Sequence, residues 1–134
     1  MTSFPLKIVT LDGLFYDGEA EEIIVRTTMG DMGVLAGHIN CVAPLGMGRA
    51  TVIMDGKKRY AACIGGIIFV LNGEVKLVPT TFEWAENIDV ARAEASRQRA
   101  EEILGDKSST DTDIRLAQAR LKRALIRKSV ATRK

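Results

Sequence analysis

The arginines of the last third of the chain offer the most specific chemistry in the sequence. Asp89, Arg92 and Arg99 are spaced by three and seven residues, which places them along one side of any helix that carries them. Arg123 and Arg127, four residues apart, line one side of a second helical stretch. If two such helices close on each other with these sides converging, several guanidinium groups surround one volume. Guanidinium forks onto phosphate oxygens, so the chemistry on offer is recognition of a nucleotide-sized anion. The bland alternative is a set of separately solvated charges.

Catalytic chemistry has much less to work with. Hydrolytic or redox work needs a nucleophile, a base and an orienting group, or a metal cluster, and His38 is the single histidine. Cys41 follows three residues later, but alternation along a strand would point the two side chains to opposite faces. Gly30-Asp31-Met32-Gly33 and Gly65-Gly66 lack the spacing of phosphate loops and read as turns or bulges. Cys41 and Cys63 lie far apart in apolar segments with no CxxC, which fits buried free thiols in a reducing compartment.

The elements that must position these residues divide sharply at Glu86. Before it, short alternating or apolar segments recur between turn residues, the pattern of an antiparallel β-sandwich. Ten strands are predicted: Leu6 to Thr10, Leu14 to Tyr16, Glu22 to Thr27, Gly33 to Leu35, Cys41 to Pro44, Arg49 to Met54, Lys58 to Cys63, Ile67 to Leu71, Val75 to Val78 and Phe82 to Ala85. Asp12-Gly13, Asp17-Gly18, Asp55-Gly56 and Asn72-Gly73 are expected at tight turns. After Glu86, Ala, Glu, Arg and Leu dominate. Asn87 or Asp89 can cap a first helix whose stripe is Val90, Ala93, Ala100, Ile103 and Leu104. Gly105 to Asp111 reads as a loop, and Thr110 with Asp113 as a capping box opening a second helix that runs to about Val130. Its seam is Ile114, Ala117, Leu121, Ala124 and Leu125, suited to an antiparallel hairpin that alanine makes close but weakly held. The organisation expected is therefore a β-sandwich over residues 1–86 and a helical hairpin over 87–134.

A chain of 134 residues with a formal net charge of +2 is sized for one ordinary core and too balanced to coat nucleic acid wholesale. The basicity is local: Arg115, Arg120, Lys122, Arg123, Arg127, Lys128, Arg133 and Lys134 face only Asp113 in the second helix and tail. Such a helix seeks a polyanion, and an autonomous nucleic-acid-binding module is the alternative reading it raises. The opening Met1-Thr2-Ser3-Phe4-Pro5-Leu6-Lys7 has no basic start followed by an apolar run, so no export is expected. The longest apolar run, Ile67 to Leu71, is strand-sized, so any membrane link is expected through a partner.

Several blocks, in order and spacing, resemble the epsilon subunit of bacterial-type rotary ATP synthase. They are Ile8-Val9-Thr10-Leu11-Asp12-Gly13, then Gly30-Asp31-Met32-Gly33-Val34-Leu35-Ala36-Gly37-His38-Ile39, then Gly65-Gly66, and Glu86-Asn87-Ile88-Asp89-Val90-Ala91-Arg92-Ala93. Leu11 and Ala36 depart from prolines common there, and Trp84 matches no motif. The resemblance implies a non-catalytic rotor subunit: a ten-stranded sandwich that grips the gamma subunit and rests on the membrane ring of c subunits, and a helical arm that suppresses ATP hydrolysis by reaching into the alpha/beta catalytic subunits. It implies contact with the c-ring at Asp31 and with gamma at His38. Lys122 and Lys128 on the basic helix would meet the catalytic subunits. ATP is implied as a regulatory ligand, with no cofactor required and no catalytic or metal residue; Ile88, Asp89, Arg92, Ala93 and Arg99 match the first-helix part of that site and Arg123 and Arg127 its second-helix part. The implied location is the cytoplasmic face of the cell membrane, held there by partner subunits and with no nucleic-acid partner.

Overall fold

The computed structural model describes residues 2–132, so Arg133 and Lys134 of the basic run lie outside the described residues. Eight strands come first: β1 (Phe4–Thr10), β2 (Gly13–Ala20), β3 (Glu22–Thr27), β4 (Gly30–Leu35), β5 (Cys41–Pro44), β6 (Met47–Met54), β7 (Lys57–Leu71) and β8 (Glu74–Trp84). A single 3₁₀ turn, Ala85–Asn87, leads into α1 (Val90–Gly105) and α2 (Asp111–Ala131).

Ten expected strands become eight because two pairs merge, Lys58 to Cys63 with Ile67 to Leu71 into β7 and Val75 to Val78 with Phe82 to Ala85 into β8. Gly65 and Gly66 do not end a strand; they bend one. Both take positive φ, +68° and +101°, and the pairing of β7 with β8 continues through them without a change of register, from Ala61 opposite Trp84 to Leu71 opposite Glu74. The first half of β7 pairs with β6 and the second half with β5, while the first half of β8 pairs in parallel with β1. At the corner the backbones nearly touch: a Cβ built on Gly66 would lie 2.0 Å from the Val78 carbonyl oxygen. No side chain fits there, and the hairpin can cross from one layer of the sandwich to the other without breaking.

Of the four expected turns, Asp55-Gly56 and Asn72-Gly73 carry two consecutive positive φ angles, as two-residue hairpin loops require. Gly13 also takes positive φ, at the mouth of the Leu11-Asp12 turn. Asp17-Gly18 is instead inside β2, opposite Lys7 and Leu6. The Tyr16 ring covers Gly18, so a Cβ there would have to displace the ring, while its hydroxyl donates to the Glu19 carbonyl at 3.1 Å. That glycine serves packing, not a turn.

Period-two burial fills the sandwich. Leu6 and Ile8, Ile23 and Val25, Ala50 and Val52, Ile68 and Val70, and Val75 and Leu77 all face the core. Trp84, which no motif explained, is buried where β8 leaves the sandwich. Its ring packs against Phe82 (centroids 5.0 Å apart) and Phe15 (6.2 Å), and the Arg59 guanidinium lies 3.8 Å from its centroid. Arg59 also pairs with Glu86, so aromatic packing and charge together fix the point where the helices begin.

Both helix starts follow the expected caps. The Asp89 carboxylate accepts from the Arg92 backbone N–H at 3.0 Å, and Thr110 and Asp113 form a reciprocal capping box. The seam is narrower than the sequence pattern suggests: Ala93 and Ala100 of α1 and Ala117 and Ala124 of α2 are buried, whereas Val90 and Leu125 are nearly half exposed. The hairpin returns to the sandwich only at the end of α2. There Val130 and Ala131, flanked by Ile126, pack on Ala62, Ala85 and Ile88, with Tyr60 alongside.

Candidate functional site

Two adjoining clefts lie where the hairpin meets the last strand. The larger, about 470 Å³, is lined by Ser96, Arg99, Ala100 and Ile103 of α1, by Arg120, Arg123 and Arg127 of α2, and by Thr81 of β8. The spacing explains the convergence. Ser96, Arg99 and Ile103 recur at three and four residues on α1, as Arg120, Arg123 and Arg127 do on α2, so one stripe of each helix faces the same space. Close approach of the alanine seam brings those stripes together. The second cleft, about 320 Å³, is lined by Glu83, Asn87, Asp89, Arg92, Ala93 and Arg127. Both volumes lie within the ~300–1,000 Å³ usual for small-ligand clefts.

Arg127 borders both clefts. Its Nε lies 2.8 Å from Glu83 Oε1, but the N–H is not aimed at that oxygen, and the atom has no well-formed hydrogen bond. The contact is an ion pair rather than a directed bond. Glu94, on the neighbouring turn of α1, is engaged by Arg97 of its own helix and by Lys128 of α2. Hydrogen bonds from Arg97 and Lys128 pull its carboxyl down to about 2. Arg97 also reaches Glu101 at 2.7 Å. Among the described residues, Arg99, Arg120 and Arg123 have no such carboxylate partner. The larger cleft thus carries uncompensated positive charge and is lined by no acid. The smaller one mixes Arg92 with the acceptors of Glu83, Asn87 and Asp89.

The structure brings six of the seven expected site residues to these clefts. Asp89, Arg92 and Ala93 border the smaller one, Arg99 and Arg123 the larger, and Arg127 both. Ile88 is not in either lining; it is buried under the end of α2. Asp89 has a helix-capping duty of its own, which any ligand would have to leave intact. Sequence reasoning missed Glu83, Thr81, Ser96 and Arg120. Arg120 and Ser96 had a usable signal, as continuations of the Arg123–Arg127 and Arg99–Ile103 stripes; Thr81 and Glu83 come to the site through tertiary packing of β8.

The remaining expected contact residues fall elsewhere. Asp31 is not in a turn: the β3–β4 hairpin turns at Thr28-Met29, and Asp31 stands in β4 opposite Arg26, with Arg26 Nη1 3.3 Å from Asp31 Oδ1. His38 sits in the loop before β5, not in the strand, and its Nδ1 lies 2.8 Å from the Ile39 carbonyl oxygen. Lys122 borders a separate groove with Arg49, Leu125 and Ile126. Lys128 is committed to Glu94, so part of the basic run is used within the molecule. Cys63 is buried, which pushes its thiol up to about 12, while Cys41 is only half buried, against expectation.

A β-sandwich domain followed by a helical domain is the organisation of the delta/epsilon chains of ATP synthase. The family model of their β-sandwich domain matches residues 3–85, and that of their long alpha-helix domain matches residues 86–132. Among curated relatives, the ATP synthase epsilon chain of Bacillus velezensis is 44% identical over 131 residues, covering 98% of both chains. That of Ruminococcus albus is 41% identical over the full length of both, and that of Bacillus subtilis 45% identical over 86% of each. The chain belongs to the ATP synthase epsilon chain family, whose members are non-catalytic subunits of that complex. Two solved structures share the fold. A chain of the Euglena gracilis mitochondrial ATP synthase OSCP/F1/c-ring assembly superposes with a TM-score of 0.83 at 23% identity, covering 96% of this chain and 81% of that one. A chain of the Tetrahymena thermophila mitochondrial ATP synthase central stalk/c-ring gives 0.61 at 11% identity, covering 95% of each.

Proposed function

We propose that the chain is a rotor subunit of the central stalk of a bacterial-type ATP synthase, that it couples the gamma subunit to the c-ring, and that its helical arm restrains ATP hydrolysis by the alpha/beta catalytic subunits. Family membership supports the stalk role, and the two structural neighbours come from assemblies that contain a c-ring. No described helix is long and apolar enough to cross a membrane; attachment to the cytoplasmic face of the cell membrane would run through partner subunits.

ATP is the regulatory ligand in this reading. The observation that carries it is the pair of clefts. Arginines from both helices, with no acid among them, surround the larger cleft, and polar acceptors able to meet a base or ribose surround the smaller. A triphosphate there would relieve the repulsion among Arg99, Arg123 and Arg127 only when the hairpin is closed, so it would favour the closed arm by its differential affinity. Released from that ligand, α2 is held by an alanine seam, one small apolar patch and the ion pairs of Arg127 with Glu83 and Lys128 with Glu94, and the rest of its basic face can meet an acidic partner.

Calorimetric titration of the intact chain with ATP and ADP tests the ligand. One-to-one ATP binding without hydrolysis is expected; a flat titration would remove the sensor and leave the stalk role. ATPase assays of the reassembled complex, with the full chain and with residues 87–134 deleted, test the restraint. Faster hydrolysis with the deletion is expected, and equal rates would overturn it.

A further inference from the structure

The resemblance gives Arg120 no place in the site, yet it lines the larger cleft with Arg99, Arg123 and Arg127. We propose that Arg120 is a further phosphate-binding residue of this site, extending the cationic wall of α2 to three guanidinium groups and reaching the part of a polyphosphate chain farthest from the smaller cleft. The inference rests on the reading of the clefts as a nucleotide site.

Three observations carry it. Arg120 stands three residues before Arg123 and seven before Arg127, so the stripe that ends beside the smaller cleft at Arg127 continues along α2 past Arg123 to Arg120. Among the described residues its side chain has neither a carboxylate partner nor a hydrogen bond, unlike Arg97 on α1 and Arg127 on α2. Thr81 lines the same cleft, and its hydroxyl, shielded from solvent, is without a hydrogen-bond partner there.

The direction of a bound nucleotide follows from the chemistry of the two clefts. Glu83 and Asp89 repel phosphate oxygens, so the base and ribose belong beside them, near Asn87 and Arg92. The phosphates then run along the arginine wall from Arg127 toward Arg120, and the terminal phosphate is the group nearest Arg120. Loss of Arg120 should therefore weaken a triphosphate more than a diphosphate.

The test is calorimetric titration of the intact chain with ATP and with ADP, for the wild type, Arg120→Gln, Arg120→Lys and Arg115→Gln, each at two salt concentrations. Arg115 is an exposed charge of the same helix that lines neither cleft, so it reports any effect of net charge alone. Arg120→Gln is expected to weaken ATP roughly tenfold, the scale of one hydrogen bond to a charged group, to weaken ADP less, and to flatten the salt dependence of ATP binding. Arg120→Lys should recover part of the loss and Arg115→Gln should stay close to wild type. Circular dichroism shows whether each variant keeps its fold. Equal ATP affinity in Arg120→Gln and wild type overturns the assignment to Arg120 alone, as does an equal loss in Arg115→Gln. A wild type that binds no ATP removes the nucleotide reading itself, and the role of Arg120 with it.

Discussion

Arg127 of the second helix lies against Glu83 of the last strand, Nε to Oε1 2.8 Å, and that contact ties arm, cleft and sandwich to one residue. Both side chains keep about a third of their surface exposed, so the pair contributes no more than about 1 kcal/mol to holding the arm. Its larger consequence is for ligand binding. Arg92→Ala and Arg127→Ala should each abolish measurable ATP binding in calorimetry, with the β-sheet signal in circular dichroism unchanged. Wild-type affinity in both variants would sink the assignment of these arginines.

Acid should loosen the hairpin through Glu94. Its carboxyl is held at about 2 by hydrogen bonds from Arg97 and Lys128, below the ~4.3 of an unfolded glutamate. A depressed acid contributes stability above its unfolded value and loses it as pH falls through the folded one. The link between α1 and α2 should therefore weaken between about pH 4 and pH 2. Helical ellipticity followed from pH 5 to pH 2 checks this: Glu94→Gln should lack that component, and parallel curves for the two proteins would refute it.

The end of α2 can be undocked without harming the sandwich. Val130 is 2% exposed, packed on residues of the β7–β8 exit. Val130→Ala should cost about 1.5 kcal/mol of docking, from two buried methyl groups, and Val130→Asp should weaken docking further because it sets a carboxylate into an apolar patch. Hydrogen exchange checks both. Faster exchange over 111–132 with unchanged protection in β6 to β8 is expected; uniform loss across the chain would mean that arm and sandwich unfold together.

The corner of β7 should tolerate no side chain. Gly66→Ala sets a methyl group against the Val78 carbonyl at a φ of +101° and should destabilise the sandwich by about 3 kcal/mol or more. Gly56→Ala meets no atom within 4 Å at its φ of +73°, so it should cost only ~1–2 kcal/mol of backbone strain. Thermal melting of the two variants gives the comparison, and similar melting temperatures would show that the close approach does not matter.

Much of this architecture was legible because it is local. The Asp55-Gly56 and Asn72-Gly73 turns, the Asp89 cap and the Thr110–Asp113 capping box are each decided within a few residues, where sequence and backbone geometry are tightly linked. The errors come from tertiary context. Gly65-Gly66 has the composition of a strand break, but a paired neighbour carries the hydrogen bonding through it. Asp17-Gly18 has the composition of a turn, but β1 pairs across it and Tyr16 needs the space. The arginine stripes were visible as helical spacing, whereas the Glu83 partner and the Thr81 wall come from a strand that reaches the clefts only after the sandwich closes. Val90 and Leu125 match the periodicity of a seam, but alanine contacts set the helices so close that these larger side chains are pushed to the outside.

The docking of Val130 and Ala131 on Ala62, Ala85 and Ile88 also sets an order of events during synthesis. Every strand of the sandwich is translated before α2 begins, so the domain can fold while the helices are still emerging. Its patch around Ala62 and Ala85 then meets water until the last turns of α2 arrive. For that interval the young sandwich exposes a small apolar surface next to a strand already paired on both sides, with no open edge there to template misassembly. The exposed patch is therefore a waiting place that the chain fills from its own later residues.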